Sequence, residues 1–329
     1  MIMSNLWALV LGDVKGVPFQ FVSREAINSL SNSTEIILYY GEALAEKRKI
    51  EPGTYSDDTA MTLATMDAFV KFNSSNITDD FYKILIKNFQ NWLYKGAYTQ
   101  DGYAWDVGIT TERAIDRYPE EITNLEFLGD PELNNSGNGS LMRMAPVAMF
   151  LYYKDGVNAL QKRENIDLVE NVSAITHKSP LCLVYCVIYT QLMLLVLDNK
   201  NAIPPYFTIR CVQSLRRCPL TDDELSIVMS SKLFASNFTR LSRRDIDGTG
   251  FVVDTLKAAV WSVIHSTELN EAIANCVLLG DDTDTTACVA GSLFGHHLKS
   301  DMKTVRNYQK VNRYIEEFQD FLIKMQGDK

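Results

Sequence analysis

Two stretches of this 329-residue chain concentrate carboxylates and hydroxyls in a way that suits metal chemistry. One is Tyr55-Ser56-Asp57-Asp58-Thr59, the other Gly280-Asp281-Asp282-Thr283-Asp284-Thr285. A lone Ser or Asp ahead of a helix needs no explanation beyond capping, because the first turn offers free N–H groups and partial positive charge. Each stretch here holds more carboxylate than one cap requires, and acids at two buried helix starts repel unless cations lie between them. Oxygen ligands from Asp, Ser and Thr suit a hard ion such as Mg²⁺ or Mn²⁺ rather than zinc.

Three further candidates lie between these stretches. Asp106 sits in the loop Trp105 to Thr111, ahead of a helix expected to start at Thr111; it either caps that helix or faces a ligand. Asn134-Asn135-Ser136-Gly137-Asn138-Gly139-Ser140 is a small-residue loop permitting positive φ and close backbone approach, and a helix start after it would offer amides to phosphate oxygens. Its spacing matches neither the dinucleotide fingerprint nor the P-loop. His177, in Thr176-His177-Lys178-Ser179-Pro180, opens the most apolar stretch of the chain and serves either packing or a ligand. His296 and His297 are sequence neighbours, so they point to different helix faces and make poor joint metal ligands.

The elements that must position these groups read as helices. Met61, Ala64, Ala68, Phe69 and Phe72 follow the first acidic stretch at the spacing of one buried helix face. Val289, Ala290, Leu293 and Phe294 follow the second, where Ala287, Gly291 and Gly295 recur every four positions and would let another helix backbone approach. Leu6 to Val10 belongs to a helix ending in the glycine- and proline-containing segment before Phe21, and Thr78 to Tyr94 reads as a helix with Phe81, Ile84, Leu85 and Phe89 on one face. Residues 22–50 look helical with polar breaks, Gly250 to Leu256 begins another helix, and residues 224–247 look polar and mobile. Strand-like alternation is absent and no boundary stands out, so an all-α, compact multi-helix domain over residues 1–329 is expected.

A hydrophobic fraction of 46% with 22% charged residues is that of an ordinary globular protein. The net charge of −9 argues against nucleic-acid binding, which needs a basic surface. Six cysteines without a C-x-x-C pair read as reduced core residues of an intracellular protein. Leu6 to Leu11 is too short for a signal peptide, and Leu181 to Leu197 reads as a core helix rather than a membrane span, so a soluble cytoplasmic protein is expected.

As an ordered set, Gly12-Asp13 to Phe21, Ser56-Asp57-Asp58-Thr59, Asp106-Val107-Gly108 with Thr110-Thr111, Gly137-Asn138-Gly139-Ser140-Leu141-Met142-Arg143, Thr176-His177, Phe251 to Trp261 and Asp282-Thr283-Asp284-Thr285 resemble the ADP-ribosylglycohydrolase family. The resemblance spans nearly the entire chain. It implies an all-helical domain with two divalent metals, usually Mg²⁺, at the floor of an ADP-ribose cleft. Carried over by motif, Ser56, Asp57 and Asp58 would bind metal from one side, and Asp282, Asp284 and Thr285 from the other. Ser136, Gly137, Asn138 and Gly139 would hold the diphosphate, His177 would border the ligand, and Asp106 matches a loop acid facing the substrate. The implied reaction is hydrolysis at the anomeric carbon of ADP-ribose, releasing a modified protein side chain or a small acceptor, with Asp57, Asp58 and Asp284 sharing metal holding and water activation. Gln20 stands where many members carry Glu, and an amide cannot act as a base. Asp281 replaces a glycine of the closing motif.

Two other readings compete. Asp282-Thr283-Asp284-Thr285-Thr286 fits the Asp-x-Asp-x-Thr pattern of haloacid-dehalogenase-like phosphatases, but fewer than about fifty residues follow it, too few for the crossover units of a parallel sheet. A catalytically silent ADP-ribose-binding member of the same fold is favoured by Gln20 and disfavoured by the intact set of metal-ligating side chains.

Overall fold

The computed structural model describes residues 2–30, 34–198, 207–295 and 301–327; His296 and His297 lie outside them. Among the described residues the secondary structure is helical. The helices are α1 (Ile2–Gly16), α2 (Arg24–Leu30), α3 (Thr34–Arg48), α4 (Asp57–Phe72), α5 (Asp79–Lys95), α6 (Ile109–Asp116), α7 (Ala145–Asp155), α8 (Arg163–Ala174), α9 (Pro180–Asp198), α10 (Phe207–Leu215), α11 (Asp222–Ser230), α12 (Val252–Ile264), α13 (Leu269–Val277), α14 (Thr283–Phe294) and α15 (Tyr308–Gly327). Short 3₁₀ turns link several of them, and the only strand-like pairings among the described residues are the isolated bridges Asp130–His177 and Gly137–Phe251. The phosphatase reading fails here, because Val277 ends a helix where that fold needs a strand.

The architecture turns on α1 and α14, which pack backbone against backbone. A Cβ on Gly12 would lie 2.1 Å from the carbonyl oxygen of Ala287, one on Gly16 would lie 2.4 Å from the Cα of Asp284, and one on Gly291 would lie 2.1 Å from the carbonyl oxygen of Ala8. Only glycine fits at such contacts. Thr283 Oγ1 locks the crossing by donating to Gly16 O at 2.9 Å, and Asn5 Nδ2 donates to Ser292 O at 2.7 Å at the other end. Both helices are almost wholly buried, and their polar side chains, Asn5 and Asp13 on α1 and Thr283 to Thr286 and Ser292 on α14, are buried with them.

Around this pair, α4, α7 and α15 bring Phe69, Phe150, Phe318 and Phe321 into one aromatic cluster with Phe81 of α5, the closest ring centroids being 4.6 Å apart. Helix α9 is the core helix expected; 78% of its most apolar window is buried inside the protein. Cys182, Cys186, Cys211, Cys276 and Cys288 are buried free thiols, and Cys218 is half-buried.

Three expected boundaries are corrected. Helix α6 starts at Ile109 with Gly108 as N-cap, so Thr111 lies inside its first turn. After the small-residue loop, residues 139–143 form turns and α7 begins only at Ala145. Residues 224–247 contain most of α11 and three 3₁₀ turns rather than a mobile segment. Thr221 and Glu224 close a capping box at the start of α11, and Arg163 of α8 holds Glu224 through both carboxylate oxygens.

Candidate functional site

Three carboxylates from three helices meet beneath the α1–α14 crossing. Asp13, one turn before the end of α1, Asp58 in the first turn of α4 and Asp284 in the first turn of α14 each bring an oxygen within 4.8 Å of the other two. The helix contacts already described dictate this: Gly16 rests on the backbone of Thr283 and Asp284, so the α1 face carrying Asp13 lies against the start of α14. Asp13 accepts the amides of Ser56 and Thr59 at 3.0 Å and the Thr59 hydroxyl at 2.5 Å, and so ties α1 to the N-terminus of α4. Ser56 is the N-cap of α4; its Oγ accepts the Asp58 amide at 3.2 Å and donates to Asp58 Oδ2 at 2.9 Å. Thr285 Oγ1 donates to the same Oδ2 at 3.2 Å.

What remains points at a cation. Asp58 Oδ1 and both oxygens of Asp284 are buried with no hydrogen-bond donor. A buried carboxylate in that state carries a large desolvation cost unless it is neutralised. Burial, followed by the charges of neighbouring acids, accordingly drives Asp57 and Asp284 well above the usual carboxylate range; Asp58 is driven the same way. Asp13 rises to about 6 through burial, and its hydrogen bonds from Thr59 and Ser56 oppose the rise. The converging oxygens of Asp13, Asp58 and Asp284 could hold a hard cation, which an all-oxygen donor set suits.

Above the carboxylates opens a cleft of about 340 Å³ whose walls include Asp57, Asp106, Gly137, Asn138, Gly139, His177, Asp282 and Thr285. Asp282 Oδ2 accepts Asn138 Nδ2 at 2.7 Å, which joins the second acidic stretch to the small-residue loop. That loop is pinned by a strand-like pair in which Asn138 N donates to Gly250 O and Val252 N donates to Ser136 O, at 3.0 and 2.9 Å. Gly137 N is likewise engaged by Asn135 O, which leaves the amides of Gly139 and Ser140 as the loop donors with no backbone partner. Ser136 does not line the cleft; its Oγ donates to Leu133 O at 2.7 Å and lies 2.6 Å from Ser179 Oγ. Asp58, Asp284 and Ser56 lie below the cleft surface.

His177 forms the back wall. A Cβ on Gly139 would lie 2.8 Å from its Cε1, so the glycine lets the loop lie on the ring. The ring is buried, and burial together with the Arg143 charge lowers its pKa to about 3, so it is neutral. Arg143 Nη2 donates to Thr176 Oγ1 at 2.8 Å, and Thr176 Oγ1 lies 2.8 Å from His177 Nδ1. The contact fits the tautomer in which the Thr176 hydroxyl donates to Nδ1 and the imidazole proton sits on Nε2, beside Gly137.

Gln20 and Asp106 close the mouth, Gln20 Nε2 donating to Asp106 Oδ2 at 2.6 Å. Arg48 of α3 holds the Gln20 segment by donating to the carbonyls of Val17, Pro18 and Gln20. Asp281 points its side chain outward; its backbone, at φ 59°, exchanges hydrogen bonds with Phe21 N and Val22 O.

Sequence reasoning assigned no role to Asp13, Arg143 or Arg48. Asp13 and Arg143 carried a signal, a fully charged residue inside an apolar run, which only burial with a function explains. Arg48 carried none, since a basic residue in a helix's last turn is ordinary.

Comparison with known proteins bears on the family and the fold. The profile of a family described as ADP-ribosylglycohydrolase matches residues 2–318. The chain is 26% identical over 295 residues to the ADP-ribosylarginine hydrolase Tri1 of Pseudomonas putida (strain GB-1), covering 88% of this chain and 68% of that protein. It is 24% identical over 301 residues to the protein of the same name from Serratia proteamaculans (strain 568), covering 88% and 70%. A solved structure titled "ADP-ribosylglycohydrolase-related protein complex" superposes with a TM-score of 0.66 over 99% of this chain and 97% of that one; at 18% identity, that likeness shows the fold alone. Because the matched profile takes in nearly every residue from α1 to the middle of α15, this chain belongs to the ADP-ribosylglycohydrolase family and is by that membership a glycohydrolase.

Proposed function

We propose that residues 1–329 work as one domain that hydrolyses the bond between ADP-ribose and an arginine side chain, with two divalent cations, Mg²⁺ or Mn²⁺, resident at the carboxylate floor. The observation that carries this reading is the convergence of Asp13, Asp58 and Asp284 within 4.8 Å, with donor-free oxygens, directly under an open cleft. The arginine acceptor is supported by the two relatives named as ADP-ribosylarginine hydrolases.

Asp13, Asp58 and Asp284 would hold the cations, with Asp57, Asp282 and Thr285 on the cleft side and Ser56 capping α4 beside them. A divalent cation bound there supplies charge that polarises water and the ribose hydroxyls. Asp57 faces the reacting carbon and takes the proton of the attacking water, whose oxygen bonds to the anomeric carbon as the carbon–nitrogen bond breaks. The bond pair leaves on the arginine nitrogen, which takes up the proton that Asp57 accepted from the water. Carboxylates around the sugar stabilise the oxocarbenium character that develops. The amide of Gly139 and the Nε2–H of His177 donate to the diphosphate. Substrate is an ADP-ribosylated protein or small molecule, with no part for nucleic acid or membrane.

Purified protein with Mg²⁺, given an ADP-ribosylarginine peptide, an ADP-ribosylserine peptide and O-acetyl-ADP-ribose, is expected to release free ADP-ribose from the first. Chelation is expected to abolish the release. Binding of all three without release would establish a silent binder instead.

A further inference from the structure

The rim of the cleft holds an arrangement that the carboxylate floor does not call for. A carboxylate only accepts, so the 2.6 Å contact fixes Gln20 with its Nε2 toward Asp106 Oδ2. Gln20 Oε1 then faces away from Asp106, and both Gln20 and the Asp106 carboxylate line the cleft. Beside them Phe21 and Ile109 line the same cleft, 73% and 66% exposed. Phe21 is not loosely placed. Its φ is 60°, in the left-handed region, and its amide donates to Asp281 O at 2.6 Å, while Arg24 clasps the neighbouring carbonyls of Leu279, Arg243 and Ile246. Phe21 and Asp106 are two of the seven non-glycine residues with positive φ among the described residues, and both line this mouth. Backbone of that kind concentrates where a site needs it, and here it presents a phenyl ring to solvent next to paired acceptors.

We infer that Gln20, Asp106 and Phe21 form the subsite for the acceptor side chain, and that it takes a planar cation with several N–H donors, a guanidinium. The N–H edge meets Gln20 Oε1 and the Asp106 carboxylate, and the cationic face lies on the Phe21 ring. Gln20 is thereby a specificity residue: glutamate there would set a second carboxylate against Asp106, whereas the amide donates to it and still offers an acceptor outward. An acceptor joined through a hydroxyl oxygen has neither planar face nor N–H edge and gains nothing from this rim. The inference rests on the proposed function and assigns the part of the cleft that reads the leaving group.

The test uses the Mg²⁺-loaded protein with an ADP-ribosylarginine peptide, an ADP-ribosylserine peptide and free ADP-ribose. Phe21→Ala and Gln20→Met are expected to raise KM, or Kd where turnover is absent, at least fivefold for the arginine peptide. The Kd of free ADP-ribose stays within twofold, and Phe21→Tyr restores the arginine peptide. Equal weakening of free ADP-ribose and arginine peptide, or no change for either, overturns the subsite while leaving the hydrolase reading intact. Wild-type protein that binds no ADP-ribose overturns both.

Discussion

Asp284 is the residue on which function and stability pull in opposite directions. Both its oxygens are buried without a donor, so in metal-free protein it is a cost, and under the proposed function it is a metal ligand. Asp284→Asn is expected to abolish ADP-ribose release and, at pH 8, to stabilise the metal-free protein by roughly 1–3 kcal/mol, the scale of one relieved buried polar group. Thermal denaturation with and without Mg²⁺ checks both parts, since the variant's Tm should no longer respond to the ion. His177 supplies the complementary case. Its pKa is lowered to about 3 against an ordinary value of 6.5, so the native state favours the neutral ring. The stability tied to that preference is intact above pH 6.5 and falls as pH drops below it. NMR of the imidazole nitrogens should show a neutral ring protonated at Nε2 from pH 8 down to 5, and a titration near 6 would refute the Arg143–Thr176–His177 chain.

At the scale of elements, everything depends on how closely α1 approaches α14. Gly12→Ala or Gly291→Ala would drive a methyl to 2.1 Å from a backbone oxygen, a clash no rotamer relieves. Each is expected to cost roughly 3 kcal/mol, at the upper end for overpacking, and to weaken Mg²⁺ binding by spreading Asp13 from Asp284; chemical denaturation and metal titration measure the two effects. Half of this contact was legible in sequence, because Ala287, Gly291 and Gly295 recur at helical spacing beside a recognisable N-terminus. Gly12 and Gly16 carry the same spacing, yet in a run as apolar as Leu6 to Leu11 a small residue announces nothing until its partner is known. Asp13 escaped assignment for the same reason, as its ligands come from a helix more than forty residues away. Helix starts at Ser56 and Pro180 were readable because capping and proline chemistry are local. Order in residues 224–247 was not, because the cross-link from Arg163 that secures α11 is a tertiary contact without sequence period.

The whole molecule carries a net charge of −9, and part of that charge is forced together at the site. A carboxyl whose native pKa lies above its unfolded value stabilises the fold fully only below the unfolded value, and that contribution is lost as pH rises through the native one. For Asp13, raised from 3.8 to about 6, the loss above pH 6 amounts to roughly 3 kcal/mol, and Asp57, Asp58 and Asp284 shift in the same direction. The Tm of chelated protein is therefore expected to fall between pH 5 and 8, with Mg²⁺ raising it far more at pH 8 than at pH 5. Calorimetry across that range checks it; an ion effect independent of pH would mean that the carboxylates are not its binding site.

The hydrogen bond from Thr283 to Gly16 spans 267 positions, so the floor of the cleft closes a loop that takes in most of the chain. Closing a loop of that size is slow and entropically late. The ion therefore has nothing to grip until the chain has nearly finished folding. Magnesium should slow the escape from the native state while leaving the refolding rate unchanged, protecting the finished molecule without helping to make it.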